Sequence, residues 1–445
     1  MSKADATVRL NLGDFIYLTM EDVMPSQGNL LTLRFKESHD VTEIRDAMRH
    51  TISIYPRLRS IVEPTLFSYK LRILNDNDER LDVLFKNAFR VKLNLKYDSH
   101  EYLTFRRNLY NEPFALEQTI PIKIYYFPDG PTSVLVLSIH HVVGDGSSCV
   151  HIACSIMSYL NGKKPSLVPI DNPSLTPALF VTPYYKIPMQ LYKSTRLLLR
   201  DRREAQKGTF IPATNRPIDF FGPVDIYYHT LCYDLELIKS KSKKLGVSIT
   251  TLLLVAISHS LSKGPGRDTG NMIGIIISAD LRPFFEGQTP VIGNYVTGFM
   301  VVISREYWDN PKQMLEEINF QMTKHIDRIK QKQASLPLLF HKLFTLVGKK
   351  NYARGVRIMK KKGILTKTCS LANLGNVDIL NSYGPKAQLC EFDASGPSHG
   401  LFIAMNTLEG KIHMSFTFQE AEFTREEIKK TIQGFERSLG KLLKL

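Results

Sequence analysis

Residues 133–146 read SVLVLSIHHVVGDG, from Ser133 to Gly146. The run Ser133–Ile139 is dense in β-branched and apolar side chains, as expected of a strand covered on both faces. His140 and His141 end it, and Gly144 and Gly146 bracket Asp145 in a sharp turn. Ser147 and Ser148 then offer caps for a helix running to about Leu160. Strand, polar corner and helix follow in that order. The corner is compatible with a catalytic site, a metal site or an ordinary polar turn.

A base that takes a proton from an alcohol or amine needs a pKa near working pH and a fixed tautomer, and histidine starts close to that condition. His141, where a buried strand gives way to a loop, has a rigid anchor and an open edge. His140 alternates with it along the strand, so it faces the core and satisfies a backbone group. The glycines turn the chain around Asp145. Its carboxylate is therefore read as a lock on the corner, paired with an arginine, rather than as the third member of a triad. The same glycines admit positive φ or the close approach of a substrate to the backbone.

Other chemistries fit less well. His140, His141 and His151 lack the i, i+4 spacing of a helical metal pair, and no acid or cysteine stands at zinc spacing, so no metal is expected. No G-x-S-x-G elbow occurs. Cys149 reads as a small buried hydrophobe on the helix. Gly264-Pro265-Gly266 has neither Walker nor Rossmann spacing. Direct attack with no covalent enzyme intermediate is what remains.

The rest of the chain frames this corner. At 445 residues, about 150 residues per domain gives two or three units. Helical spacing marks Val41–Ile54, stopped by Pro56, and strands are expected at Phe67–Leu74 and Ile122–Phe127. From Asn161 to Pro223 prolines are frequent and basic residues cluster around Lys193–Arg203, which reads as a crossover. A second half then opens with a strand at Asp225–Tyr233. It continues with a helix at Ser248–Leu261, strands at Met272–Ser278 and Val291–Ser304, and a helix at Lys312–Ile329. Strands at Thr366–Asn373, Leu401–Asn406 and Lys411–Phe418 follow, and Thr424-Arg425-Glu426-Glu427 is a capping box that opens a last helix. The expected division is a first lobe over 1–165, a crossover over 166–224 and a second lobe over 225–445, both lobes being α/β.

Five cysteines, odd in number and widely spaced, suggest neither disulfides nor a zinc knuckle, and a cytoplasmic location is the expectation. The N-terminal stretch, with Asp5 and Asp14, lacks the apolar run of a secretory signal. A formal charge of +15 implies a negative partner: an anionic lipid surface, an acidic carrier protein or a phosphorylated co-substrate. No nucleic-acid module is recognisable. Tyr184–Arg203 mixes aromatics, leucines and basic residues, as a helix touching a membrane periphery does; a linker helix packed on the protein is the alternative.

HHVVGDG, in its strand–corner–helix context, resembles the HHxxxDG motif of the coenzyme A-dependent acyltransferase superfamily. That superfamily includes chloramphenicol acetyltransferase, condensation domains, wax ester synthases, the plant BAHD enzymes and alcohol acyltransferases. Ala47–Ser60 resembles the family's early helix ending in a proline and a Leu-Arg pair. Pro113-Phe114-Ala115-Leu116 resembles its PF-x-L segment, and Ala279-Asp280-Leu281-Arg282 with Gly293-Asn294 its second-lobe strand and loop. The resemblance implies two chloramphenicol acetyltransferase-like lobes in one chain, a monomer, with a tunnel between them.

It further implies that His141 is the general base, that Asp145 is structural with Arg282 as its partner, and that the thioester of acyl-CoA or of an acyl carrier protein is a co-substrate rather than a bound cofactor. Oxyanion donors are expected among the backbone at Gly146 and the side chains of Asn294 and Asn373. Ser370-Leu371-Ala372-Asn373-Leu374-Gly375 is similar to the S-N-x-G segment of alcohol acyltransferases and polyketide-associated acyltransferases. The DFGWG motif of BAHD enzymes is absent, and Thr250-Thr251 replaces the Asn-Asp pair of wax ester synthases. An O-acyltransferase acting on an alcohol is favoured; amide formation on an amine, or a non-catalytic carrier-binding protein of this fold, are the alternatives. Lys349–Lys367 would attract the phosphates of coenzyme A or an acidic carrier.

Overall fold

A computed structural model describes residues 6–8, 10–169, 174–285, 291–333, 345–365 and 367–444. Two sheets organise them. Five strands form the first, in the order Leu389–Ser395, Gly28–Phe35, Thr132–His140, Ile122–Asp129 and Phe89–Val91. Six form the second, in the order Val296–Ser304, Met272–Asp280, Cys369–Asn376, Phe402–Leu408, Lys411–Gln419 and Val224–Thr230. A small sheet of Ala6–Val8, Tyr69–Ile73 and Ser60–Pro64 shares the first core.

Helices cover these sheets where the apolar spacing demands it. Val41–Ile54 starts at Asp40, whose side chain accepts from the Thr42 amide at 2.7 Å, and buries Ile44, Ala47, Met48 and Ile52. Gly146–Leu160 packs against it. In the second lobe Ile249–Leu261 is apolar almost all round, and it is buried between Pro311–Lys330 and Arg425–Lys444. Thr424 and Glu427 close the capping box in both directions, at 2.7 Å and 3.2 Å. No single helix among the described residues is long and apolar enough to cross a membrane; Leu235–Lys244 with Ile249–Leu261 passes only as a pair bent by 96°.

The division at residues 225–445 meets one exception. Leu389–Ser395 leaves the second half and lies antiparallel to Gly28–Phe35 at the edge of the first sheet, Phe392 opposite Leu33. It is also held from the other side: Asn406 Nδ2 donates to the Phe392 carbonyl at 3.0 Å and Ser415 Oγ to the Ala394 carbonyl at 2.6 Å. The reverse tie is made by His100–Asn111, a first-half helix whose Arg106 donates to the Ile226 carbonyl at 2.8 Å and stacks over Tyr228. Burial on both faces explains why the crossing strand carries Phe392 and Ala394 among its polar neighbours. The crossover region contains the helix Ile187–Ala205, on the expected Tyr184–Arg203 stretch.

With these ties the two lobes should unfold together. Phe392 is fully buried, and Phe392→Ala is expected to cost about 3–5 kcal/mol. Fluorescence of Trp308, the lone tryptophan and a second-lobe core residue, and far-UV circular dichroism should then report the same shifted denaturant midpoint. A shift in only one of the two signals would show that the lobes are independent.

Candidate active site

His141 leaves the end of the strand Thr132–His140 with its amide bonded to the Gln27 carbonyl at 2.9 Å, and its side chain is 6% exposed. Nδ1 lies 3.2 Å from Asn294 Oδ1. The amide cannot be turned over without loss, because Asn294 Nδ2 donates to Asp14 Oδ1 at 2.8 Å and to the His141 carbonyl at 2.6 Å, both pure acceptors. Oδ1 therefore faces Nδ1, Nδ1 carries the proton, and Nε2 is left as the lone-pair nitrogen. Nε2 has no hydrogen-bond partner among the described residues. Tyr17 stacks flat on the imidazole, ring centroids 3.7 Å apart and planes within 7°.

Burial is the largest influence on the His141 pKa and, aided by the neighbouring His140, pulls it from 6.5 to about 4 against the opposing effects of Asn294, Asp145 and Asp14. The ring is neutral at physiological pH. His140 is fully buried, and its Nδ1 accepts from the Val142 amide at 2.9 Å. Its Nε2 sits 3.1 Å from Glu21 Oε1.

Asp145 points away from His141. Its carboxylate receives Arg282 Nη2 at 2.8 Å and Nη1 at 3.1 Å, the Tyr295 amide at 2.9 Å and the Ser148 amide at 3.1 Å. The last of these makes Asp145 the helix N-cap, a place the sequence reading gave to Ser147 and Ser148. A carboxylate at the cap also meets the positive end of the helix, which a hydroxyl does less strongly. Ser148 instead turns its hydroxyl across the lobes to the Gly293 carbonyl, 3.0 Å away. Gly144 admits this contact, since a Cβ there would overlap the Ser148 side chain.

Asn294 differs from its expected place as an oxyanion donor: both its amide hydrogens are spent on Asp14 and the His141 carbonyl, so none is left for a substrate. Asn373 stands elsewhere, its Nδ2 on Thr250 Oγ1 at 3.0 Å and its Oδ1 accepting from Gly375 at 2.8 Å. Its neighbour Leu374 closes over Gly146, where a Cβ would come within 2.7 Å of Leu374 Cδ2.

The sequence reading missed one element that the site depends on, the helix Leu12–Met20. Asp14, Tyr17 and Glu21, at the helix end, share a face that meets Asn294, His141 and His140 in turn. Asp14 is fully buried and forms a fork with Arg57, at 3.0 Å and 2.9 Å, while Arg57 also donates to the Val142 carbonyl at 2.6 Å. The signal was present in Asn11-Leu12-Gly13-Asp14, whose ends cap each other at 2.9 Å in both directions. Gly13 is needed there because a Cβ would lie 2.6 Å from Asn294 Cβ.

No family model and no curated protein matches the chain. Solved structures do. The trichothecene 15-O-acetyltransferase TRI3 from Fusarium sporotrichioides aligns over 99% of this chain and 96% of its own, with a TM-score of 0.72 and 13% identity. The starter condensation domain of rhizomide synthetase, solved with C8-CoA and Leu-SNAC, aligns over 99% and 95%, with a TM-score of 0.65 and 12% identity. The epimerization domain of the third module of tyrocidine synthetase B aligns over 99% and 96%, with a TM-score of 0.60 and 14% identity. The chain thus has the two-lobed fold shared by chloramphenicol acetyltransferase-like acyltransferases and condensation domains. That fold also carries epimerization, so the reaction has to be argued from the site.

The Asp145–Arg282 pair joins the corner to the second lobe. Removing the Asp145 charge leaves Arg282 with only one carboxylate partner among the described residues, the more exposed Asp280 at 3.0 Å, and breaks the bonds that hold the corner. Asp145→Asn is expected to lower stability by about 3 kcal/mol, seen as a lower midpoint in urea. An unchanged midpoint would mean that the pair does not hold the corner.

Proposed function

We propose that the protein is an acyltransferase that moves an acyl group from a thioester to an alcohol. One observation carries the reading: His141, at the strand end of HHVVGDG, is a neutral imidazole with Nδ1 held by Asn294 and Nε2 free. In this reading Nε2 takes the hydroxyl proton of the acceptor as its oxygen attacks the thioester carbonyl. The tetrahedral intermediate collapses with cleavage of the carbon–sulfur bond, and the departing thiolate takes the proton back from Nε2. No bond to the enzyme is required. Cys149 suits that, since burial pushes its thiol well above the usual range and leaves it no thiolate character. The donors left for the oxyanion are the Gly146 amide at the start of its helix and the second amide hydrogen of Asn373.

The thioester is read as acyl-CoA or a carrier-bound phosphopantetheine, both of which bring phosphate. Lys349–Lys361 is a basic helix packed against Leu12–Met20, the helix that carries Tyr17. Beside its end lies a cavity of about 250 Å³ whose ionisable lining is Lys360, Lys361, Lys367 and His399 with Asp219 and Glu422, the last 3.6 Å from Lys360, leaving the basic groups in excess. Burial lowers the Lys367 amine to about 8, so it stays mostly charged at neutrality, and that charge in turn holds His399 neutral. Such a cluster attracts phosphate before the thioester reaches the corner.

Amide formation is the second reading, favoured by the likeness to a condensation domain solved with C8-CoA and an aminoacyl thioester analogue. Matched alcohol and amine acceptors offered with one acyl-CoA separate the two. Ester as the main product is expected, and amide alone would replace the first reading by the second.

His141→Ala should lower acyl transfer by about 10³-fold with an unchanged circular dichroism spectrum; undiminished turnover would remove the general base. The pH profile tests the same group independently. A base acts when deprotonated, so a pKa lowered to about 4 moves the acidic limb down: kcat/KM should stay level from neutrality to about pH 5 and fall through about pH 4. A limb near 6.5, the ordinary histidine value, would show a solvated or unheld imidazole.

A further inference from the structure

The helix Ile187–Ala205 meets the protein through polar and apolar side chains together: Gln190, Ser194 and Asp201 turn inward, and Leu197 and Leu198 line a cavity on the same side. Gln190 is buried and donates to the carbonyls of Leu179, at 2.8 Å, and Lys332, while its oxygen accepts from the Val181 amide at 3.2 Å. Ser194 is buried on the same face, and Asp201 pairs with Arg328 at 2.5 Å. The outward side carries Met189, 58% exposed, Tyr192, 57%, and Leu199, 49%, with Tyr185, 77%, in the turn before. Residues 185, 189, 192 and 199 fall on one stripe by helical spacing.

Charge completes the pattern. Lys186, Lys193, Arg196, Arg200 and Arg203 are all exposed on or beside the stripe; of the two acids of the helix, Asp201 is turned inward to Arg328 and Glu204 is exposed and paired with Lys207. Arg196, between Tyr192 and Leu199, and Arg203, one turn past Leu199, fall on the stripe itself, so exposed apolar and basic side chains interleave on one face of the helix. Tyrosines at headgroup depth, aliphatic side chains below them and Lys/Arg on the flanks are the arrangement of a helix lying in a lipid interface. The juxtaposed basic side chains select the anionic leaflet.

We propose that this helix docks the protein on an anionic lipid surface. A cavity of about 850 Å³ lies on the helix's inner side along the edge strand Val296–Ser304, the strand that starts just after Asn294. Docking through the stripe sets that cavity directly behind the lipid-facing helix.

Co-sedimentation of the full chain with phosphatidylcholine vesicles, with and without phosphatidylserine, tests the proposal apart from any turnover. Binding is expected with phosphatidylserine and should weaken as salt rises. Tyr185→Ser/Met189→Ser/Tyr192→Ser and Lys193→Glu/Arg196→Glu/Arg200→Glu should each weaken it roughly tenfold or more with an unchanged melting temperature. Tyr192→Trp gives a second readout: Trp308 is buried, so a blue shift on adding phosphatidylserine vesicles reports the helix entering lipid. No binding at low salt, equal binding by the wild type and both triple variants, or no spectral shift would each overturn the proposal. So would capture of an acidic carrier protein by this face with vesicles left unbound.

Discussion

Asn294 fixes the chemistry of the corner because its amide has no freedom. Two acceptors, the Asp14 carboxylate and the His141 carbonyl, consume both hydrogens and force the oxygen toward Nδ1. The tautomer of His141 follows from that count of donors and acceptors, with no appeal to a titration. The backbone carbonyl of Asn294 is in turn tied to Asn11 Nδ2 at 3.2 Å, so the residue is clamped at both ends by the helix Leu12–Met20. A shift of that helix would move Tyr17 off the imidazole and Asp14 off the amide together.

The clamp spans two lobes, and the buried ion pairs make the spanning specific. Burying a charge is costly unless geometry and extra hydrogen bonds compensate. Asp14 compensates with four donors: two from Arg57, one from Asn294 and the Asn11 amide. Asp145 does so with two guanidinium nitrogens of Arg282 and two backbone amides. Fully satisfied networks of this kind admit one docking of the lobes, since a small slide leaves several partners unpaired at once. Leu389–Ser395, hydrogen-bonded in one sheet and held by side chains of the other, adds a backbone constraint to the same end.

Where the sequence spoke through local physics it was readable. Val41–Ile54, the strand leading to His140, and the helix Ile249–Leu261 with its Ser248 cap announce themselves by period, density or cap. The strand Leu389–Ser395 does not: CEFDAS mixes charge with apolar residues, and only its position between two sheets explains the mixture. Helix Leu12–Met20 is short, and its capping pair Asn11–Asp14 was the one local mark. The long-range partners, Arg57 for Asp14 and Glu21 for His140, are set by how separate elements meet, and no spacing along the chain encodes them. Asn294 was visible as a candidate but not as the holder of Nδ1, because its role depends on which acceptors surround its amide.

Asn294 also explains why the corner is not a Ser-His-Asp-like relay. A carboxylate against Nδ1 would favour the imidazolium and raise the pKa, whereas a neutral amide orients the ring and leaves burial to dominate. Asp145 and Asp14, the two acids within reach, are each directed to an arginine, so the charges around His141 come as compensated pairs. Burial then outweighs these charges, and the imidazole stays neutral. Under the acyl transfer proposed above, an imidazole held in this way would take the acceptor proton as the oxygen attacks and return it to the departing thiolate.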